Sequence, residues 1–271
     1  MLSELLRRID EYQGRINRYR PFEDEAMLRE IQKFYRVDTV FSSNALEGYS
    51  YSLSETKILL EDGLTAGGKP LRDAFAVVGL GQAYDHMFSL LRHSGITEQD
   101  LLTLHGMLKG SLENDAVAGV YRRIPVFISG SRYPVSRPEE VESRMRGLLA
   151  RTSEERETLH PLVAAARFHK DFVFIHPFSD GNGRIARLAM NVLLIQRGYL
   201  PVVIPPVLRH DYVAALEKAH EDDGSFLELM ARSEIETQKD FLRLVKDASR
   251  HEDVEMESGK APRDGRFQRM G

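Results

Sequence analysis

The chain predicts a mainly α fold with one β-hairpin, and two observations carry that prediction. Apolar residues recur at helical spacing along most of the 271 residues. One stretch departs from that period: in 117–136, Tyr121, Val126, Phe127, Ile128 and Val135 suggest two short strands, with Ser129-Gly130-Ser131 turning between them. Cysteine is absent, which removes disulfides and thiolate metal sites.

In chain order, Leu5, Leu6, Ile9, Tyr12 and Ile16 place a helix over 3–18, and Pro21 stops it. Leu28, Ile31, Phe34, Tyr35 and Phe41 carry a second helix over 26–44 that ends near Gly48. A shorter helix runs from Ser54, read as its N-cap, to Asp62, with Gly63 beyond. Residues 71–93 and 97–109 again show helical period. Pro125 and Pro134 are unsuited to a sheet centre, so the 117–136 hairpin is expected at an edge. Helices resume at 138–151, 159–175, 183–197, 209–220 and 225–246. From about Arg250 the chain is polar, contains Gly and Pro, and is expected to be disordered. The resulting layout is N-terminal helices over 1–36, a main domain over 37–246 and a tail over 247–271, with no internal repeat.

Charge narrows the function classes. Lys and Arg (37) mix with Asp and Glu (41) for a net charge of −4, so the basic stripe of a general nucleic-acid binder is missing. The N-terminus MLSELLRRIDEYQ is a charged amphipathic helix, without a signal peptide's apolar core. No apolar stretch approaches bilayer-spanning length. The expectation is a soluble cytoplasmic protein with neither a nucleic-acid nor a membrane partner.

The densest chemistry lies in His176–Arg187, HPFSDGNGRIAR. Pro177 disfavours the helical region at His176 and so ends the preceding helix. Ser179-Asp180-Gly181-Asn182-Gly183 is rich in turn formers, and a new helix starts near Asn182 or Gly183 with Arg184 and Arg187 on one face. A first helical turn offers unpaired N–H groups and a positive dipole end to anions. Glycines let the backbone approach an oxyanion closely. Asp180 is a hard oxygen ligand suited to Mg²⁺ on phosphates, and His176 can accept a proton from an incoming hydroxyl. Each feature alone has a plainer reading: a capping His, an ordinary turn, two solvated arginines. Their occurrence together, in this order, reads as a nucleotide triphosphate site.

His176-Pro177-Phe178-Ser179-Asp180-Gly181-Asn182-Gly183-Arg184-Ile185-Ala186-Arg187 resembles the complete signature of the Fic family, HPFx(D/E)GNGRxxR. The resemblance continues through Leu188-Ala189-Met190-Asn191 and covers roughly residues 40–235. It implies a Fic-type helical domain with a β-hairpin flap, and transfer of AMP from ATP to a hydroxyl side chain of a target protein. It further implies His176 as the base and Asp180 as the Mg²⁺ ligand. The backbone of Gly181, Asn182 and Gly183 would form the phosphate cradle, with Arg184 on the phosphates and Arg187 reaching the γ-phosphate. Such a reaction depends on positioning and charge stabilisation.

Upstream, Ser43-Asn44-Ala45-Leu46-Glu47-Gly48 resembles the family's inhibitory motif, (S/T)xxxE(G/N), within a helix at about 37–48. The resemblance implies that Glu47 pairs with Arg187 and keeps the γ-phosphate from it, with Ser43 the other marked position. A carboxylate and a phosphate then compete for one guanidinium. Residues 117–136 match the flap, and Val126, Phe127 and Ile128 on its edge can pair with an extended target segment. Downstream, Tyr212 resembles an adenine-contacting tyrosine, with Leu216 and His220 facing the same way; Val213 stands where many relatives have a second tyrosine.

The expectation is therefore a Mg²⁺-dependent, ATP-using protein adenylyltransferase that acts on Ser, Thr or Tyr of a target, itself included, and is held down by Glu47. The same residues also allow removal of AMP or transfer of another phosphate-containing group, and a silent nucleotide-binding module is the non-enzyme alternative. The 1–36 helices can serve a homodimer or pack on their own core.

Overall fold

Helix α1 (Leu2–Ile16) follows its predicted stripe, burying Leu5, Ile9, Gln13 and Ile16. The computed structural model of the protein describes residues 1–18, 25–110 and 117–257. Leu5, Ile9 and Ile16 join the main core, because α1 packs along α10 (Gly224–Glu257) at the other end of the chain. Buried amides reinforce that seam: Gln238 donates to the Ile9 carbonyl at 3.2 Å and to Gln13 Oε1 at 3.3 Å. The apolar face of α1 is thus covered within its own chain.

Helix α2 (Glu25–Leu46) runs unbroken through 36–37, so the division expected there is not a structural boundary. It ends where Gly48 takes φ +88°, close to the predicted stop. Helix α3 (Leu53–Asp62) begins two residues earlier than expected. Its N-cap is Ser52, whose hydroxyl accepts from the Glu55 N–H while the Glu55 carboxylate accepts from the Ser52 N–H at 2.7 Å. Ser54 cannot make this reciprocal pair, because the residue three places on is Lys57, which has no acceptor. Helices α4 (Leu71–Met87) and α5 (Glu98–Lys109) follow, joined by a 3₁₀ turn at Phe88–Arg92. Helix α6 (Val141–Thr158) outruns its predicted end at 151, and Thr152 is buried within it.

Helices α7 (Pro161–Ile175) and α8 (Asn182–Ile195) form the centre. Every residue of α8 from Arg184 to Ile195 is buried, with α7, α4, α5 and α2 packed around it. Each fully buried aliphatic side chain here contributes about 1.5–3 kcal/mol of transfer free energy. The helix carrying the HPFSDGNGRIAR arginines is therefore anchored along nearly its whole length in the core. Helix α9 (Arg209–Lys218) lies against α10. Helix α10 continues to Glu257, so 247–257, expected to be disordered, is helical, and 258–271 lie outside the described residues. No helix among the described residues is long and apolar enough to cross a membrane.

The predicted hairpin is corrected. Residues 117–136 turn at Ser129-Gly130, with Gly130 at φ +86° and the Ser131 N–H on the Ile128 carbonyl at 3.2 Å, but no β-ladder forms among the described residues. The backbone groups a ladder would use are bonded elsewhere. The Arg122 guanidinium takes the carbonyls of Ile124 and Ser136. The Glu217 carboxylate takes the Arg132 N–H at 2.7 Å. The Arg122 N–H goes to the Pro177 carbonyl at 2.9 Å, and Pro125 and Pro134 have no N–H to give. The segment is a loop clamped by side chains.

Candidate active site

The site begins where α7 stops. His176 adopts φ 54° and ψ 59°, the only positive φ at a non-glycine among the described residues. A non-glycine held in this left-handed region costs about 1–3 kcal/mol and persists only when its surroundings over-determine it. Here the His176 N–H bonds the Phe172 carbonyl at 3.0 Å, and its own carbonyl accepts from Arg122 Nε at 2.7 Å. The loop then closes on itself. Asn182 Oδ1 accepts from the Phe178 N–H at 2.9 Å and Nδ2 donates to the Phe178 carbonyl at 2.8 Å. The buried Phe178 ring stacks on His105, with centroids 3.7 Å apart.

Two glycines then shape the start of α8. Gly181 sits at φ +81°, and a Cβ there would also press on Leu108. The first bond into the helix runs from the Ile185 N–H to the Gly181 carbonyl at 3.0 Å. The N–H groups of Asn182, Gly183 and Arg184 thus precede the helical ladder and form the anion-attracting end. A Cβ on Gly183 would collide with the Glu47 carboxylate, so that carboxylate lies against this helix end.

The His176 ring is half-buried, and its Nδ1 lies 3.2 Å from the Val173 carbonyl. A carbonyl only accepts, so Nδ1 carries the proton and Nε2 keeps its lone pair. Burial pushes the imidazole pKa below its ordinary value, and the Arg122 cation adds to this, against Val173, Glu47 and Asp180. His176 is therefore neutral at neutral pH, with Nε2 ready to accept a proton.

Asp180 projects a carboxylate that is 54% exposed. One oxygen, Oδ2, accepts from Lys109 at 2.8 Å and Arg184 at 3.2 Å. Burial would raise its pKa, but Lys109 and Arg184 outweigh this and hold it below the usual carboxylate value. It is thus ionised, with part of the carboxylate open to solvent. No group of three or more His, Asp or Glu able to hold a metal occurs among the described residues. One exposed carboxylate fits Mg²⁺ that keeps its remaining ligands as phosphate oxygens and water. Arg184 is buried beneath, its guanidinium carbon 4.9 Å from the Tyr49 ring centroid.

Arg187 is held by three residues, Ser43, Glu47 and Tyr212. Its Nε donates to Ser43 Oγ at 2.8 Å, Nη2 to the Ser43 carbonyl at 3.0 Å and to Glu47 Oε1 at 2.6 Å, and Nη1 to the Tyr212 hydroxyl at 3.2 Å. Burial works against its charge, yet Tyr212 and Glu47 raise its pKa overall. Glu47 lies just past the end of α2 with its side chain 36% exposed. Its position is fixed from both sides: its N–H bonds the Asn44 carbonyl at 3.0 Å, and Arg209 Nε bonds the Leu46 carbonyl at 2.8 Å.

The structure thus brings Ser43, Glu47, Asp180, Arg184 and Arg187 together around the α8 N-terminus beside His176. Tyr212 is only 5% exposed and lies behind Arg187. Its hydroxyl accepts from Arg187 and donates to His169 Nε2 at 2.9 Å. Packing of α9 on α10 turns Tyr212 inward against Phe226 and leaves Val213 exposed. His220 has both ring faces covered, by Phe174 at 3.6 Å and Tyr133 at 4.0 Å. Leu216 is half-buried against the core. On the loop, Phe127 is 90% exposed, whereas Val126 and Ile128 are half-buried.

Sequence reasoning missed Lys109, His105, Arg122, Tyr49 and His169. His105 joins two parts of the site: its Nδ1 accepts from the Gly119 N–H at 3.0 Å and its Nε2 lies 3.1 Å from the Asp180 carbonyl. Burial lowers its pKa to about 4. For Lys109, His105 and His169 the signal was a polar type on an otherwise apolar helix face, which does not say what it faces.

A profile of the Fic/DOC family matches residues 95–194, enclosing the whole His176–Arg187 segment. Among curated proteins, the chain is 36% identical over 237 residues to protein adenylyltransferase Fic of Nematostella vectensis, covering 85% of this chain and 54% of that protein. It is 35% identical over 201 residues to protein adenylyltransferase fic-1 of Caenorhabditis elegans, covering 73% of this chain and 38% of that protein. The chain thus spans about half or less of the length of these relatives. Among solved structures, Fic-1 (residues 134–508) from C. elegans superposes with a TM-score of 0.82 at 28% identity, over 91% of this chain and 73% of that one. A Fic domain containing signaling protein from Bacteroides thetaiotaomicron shares the fold, with a TM-score of 0.74 at 22% identity, over 97% of this chain and 99% of that one.

Proposed function

The chain carries a domain of the Fic/DOC family, and from that premise we propose that it is a protein adenylyltransferase whose resting state is inhibited by Glu47. One observation carries this reading: Glu47 lies 2.6 Å from Arg187 and against Gly183, on the helix end a nucleotide's phosphates would use. The names of the relatives support the transferred group.

In the proposed reaction the ATP phosphates lie over the N–H groups of Asn182, Gly183 and Arg184, with Arg184 and Arg187 as fixed cations. His176 Nε2 takes the proton of a target Ser, Thr or Tyr hydroxyl. The hydroxyl oxygen forms a bond to the α-phosphorus as the bond from that phosphorus to the β-phosphate bridging oxygen breaks. AMP stays on the target and pyrophosphate leaves. Asp180 would hold Mg²⁺, which when bound supplies positive charge to the phosphates. Phe127 and its neighbours on the exposed loop receive the target. While Glu47 occupies Arg187, the γ-phosphate lacks its cation and the α-phosphate is held out of line with His176.

Labelled nucleotide separates the outcomes. The Glu47→Gly variant given α-labelled ATP should place label on protein, and γ-labelled ATP should place none. Label from the γ-position would instead show phosphate transfer, and label from neither would remove the transferase reading.

A further inference from the structure

Arg122 is buried, and its guanidinium is turned onto backbone carbonyls. Nε donates to the His176 carbonyl at 2.7 Å, Nη1 to Ile124 at 3.0 Å, and Nη2 to Ser136. The Arg122 N–H also holds the Pro177 carbonyl at 2.9 Å. One residue therefore grips both peptides that follow α7 and both arms of the 117–136 loop. His176 is the residue among those described that most needs such a grip, since it alone holds a positive φ without being glycine. If its carbonyl is released, the backbone can relax out of the left-handed region, and the imidazole turns with it.

We propose that Arg122 is the positioning residue for His176, and that through it the conformation of the exposed 117–136 loop sets where Nε2 stands. The planar fork suits the task, because three carbonyls converge on one rigid group; a lysine ammonium offers a point charge on a flexible stem. The loop that carries Phe127 and the peptide that carries the base are then one mechanical unit. A target seated on the loop meets a base already aligned. Gly119 on His105, and His105 on the Asp180 carbonyl, add a second strut between the same two segments.

The proposal rests on His176 acting as the base. In the Glu47→Gly background, Arg122→Ala and Arg122→Lys are compared with the parent for AMP-transfer kcat, for ATP affinity by calorimetry and for melting temperature. A displacement on the order of 1 Å at the base lowers kcat about 100-fold, while ATP affinity stays at the parent value because the α8 cradle is untouched. Added guanidinium ion should restore part of the Arg122→Ala rate and leave the parent rate unchanged. If Arg122→Ala does not fold, Arg122→Lys carries the test, with low kcat and intact ATP binding. Unchanged kcat, or kcat and ATP affinity falling together without guanidinium rescue, overturns the proposal. A parent Glu47→Gly protein that binds ATP but transfers nothing overturns the function reading itself, an outcome distinct from a failed Arg122 arm.

Discussion

Replacing Glu47 should make the protein slightly less stable and much more active, and the contacts of Arg187 set both magnitudes. Removing one partner from a buried ion pair costs about 3–5 kcal/mol. That figure must be discounted here, because Glu47 is 36% exposed and Arg187 keeps Ser43 Oγ, the Ser43 carbonyl and the Tyr212 hydroxyl. A single charge-assisted bond of about 1.5–3 kcal/mol is the appropriate scale, and solvent screening brings the stability loss to about 1–2 kcal/mol. Thermal unfolding should register about 2–4 °C for each kcal/mol. The γ-phosphate gains what folding loses: about 1–2 kcal/mol no longer opposes it at Arg187. At 1.4 kcal/mol per decade that is a rise of about 5- to 30-fold in transfer. Initial rates with α-labelled ATP, measured beside melting curves for Glu47→Gly and Glu47→Gln, test the pair of effects. The glutamine carbonyl can still accept from Arg187, so its rate should rise less. A lower melting temperature with wild-type transfer rates in both variants would refute the argument.

Three further outcomes follow from the same contacts. Tyr212→Phe should leave ATP affinity unchanged, because the ring faces the core, and should lower stability by about 1–3 kcal/mol as Arg187 and His169 lose a partner; weakened ATP binding with intact stability would return Tyr212 to the base pocket. Gly183→Ala places a methyl against the α8 N-terminus, in contact range of Glu47 and Arg187, and calorimetry should show ATP affinity reduced at least about 10-fold; wild-type affinity would mean that phosphates do not approach there. Stability should fall with acid before the carboxylates titrate. His105 and His169 have folded pKa values of about 4 and about 3, both lowered by burial, against an unfolded value of about 6.5. Above about pH 6.5 both states are neutral and the residues contribute nothing to the pH dependence. Below it the unfolded chain binds protons that the folded chain refuses, so stability drops by about 1.4 kcal/mol per pH unit for each imidazole until the folded values are reached. Urea unfolding between about pH 7 and 5 measures this slope, and a flat profile would contradict the burial of neutral imidazoles.

Most helices were legible because each pairs an apolar stripe with a local stop signal, as Gly63 does for α3. The loop–helix motif was legible for a related reason: its residues are adjacent in sequence, so chemistry and spacing are read together. Lys109 and His105 are not adjacent to it. They reach Asp180 because α5 packs on α8, and nothing in 97–109 states which neighbour that face will meet. Tyr212 shows the converse. An aromatic on an amphipathic helix suits a base pocket or a core equally, and packing of α9 on α10 buries Tyr212 beside Phe226. The hairpin expectation failed because strand-forming side chains were present while the backbone partners of a ladder were not: Arg122, Glu217 and the prolines had already disposed of them.

Transfer of AMP through His176 in a site freed of Glu47 is tested most directly by intact mass. Glu47→Gly and Glu47→Gly/His176→Ala proteins, each first shown to bind ATP, are incubated with Mg²⁺ and ATP and weighed. A mass gain of one adenylate on the single variant, missing from the double variant, is the predicted result. No gain on the single variant despite bound ATP, or the same gain on both, would contradict the account.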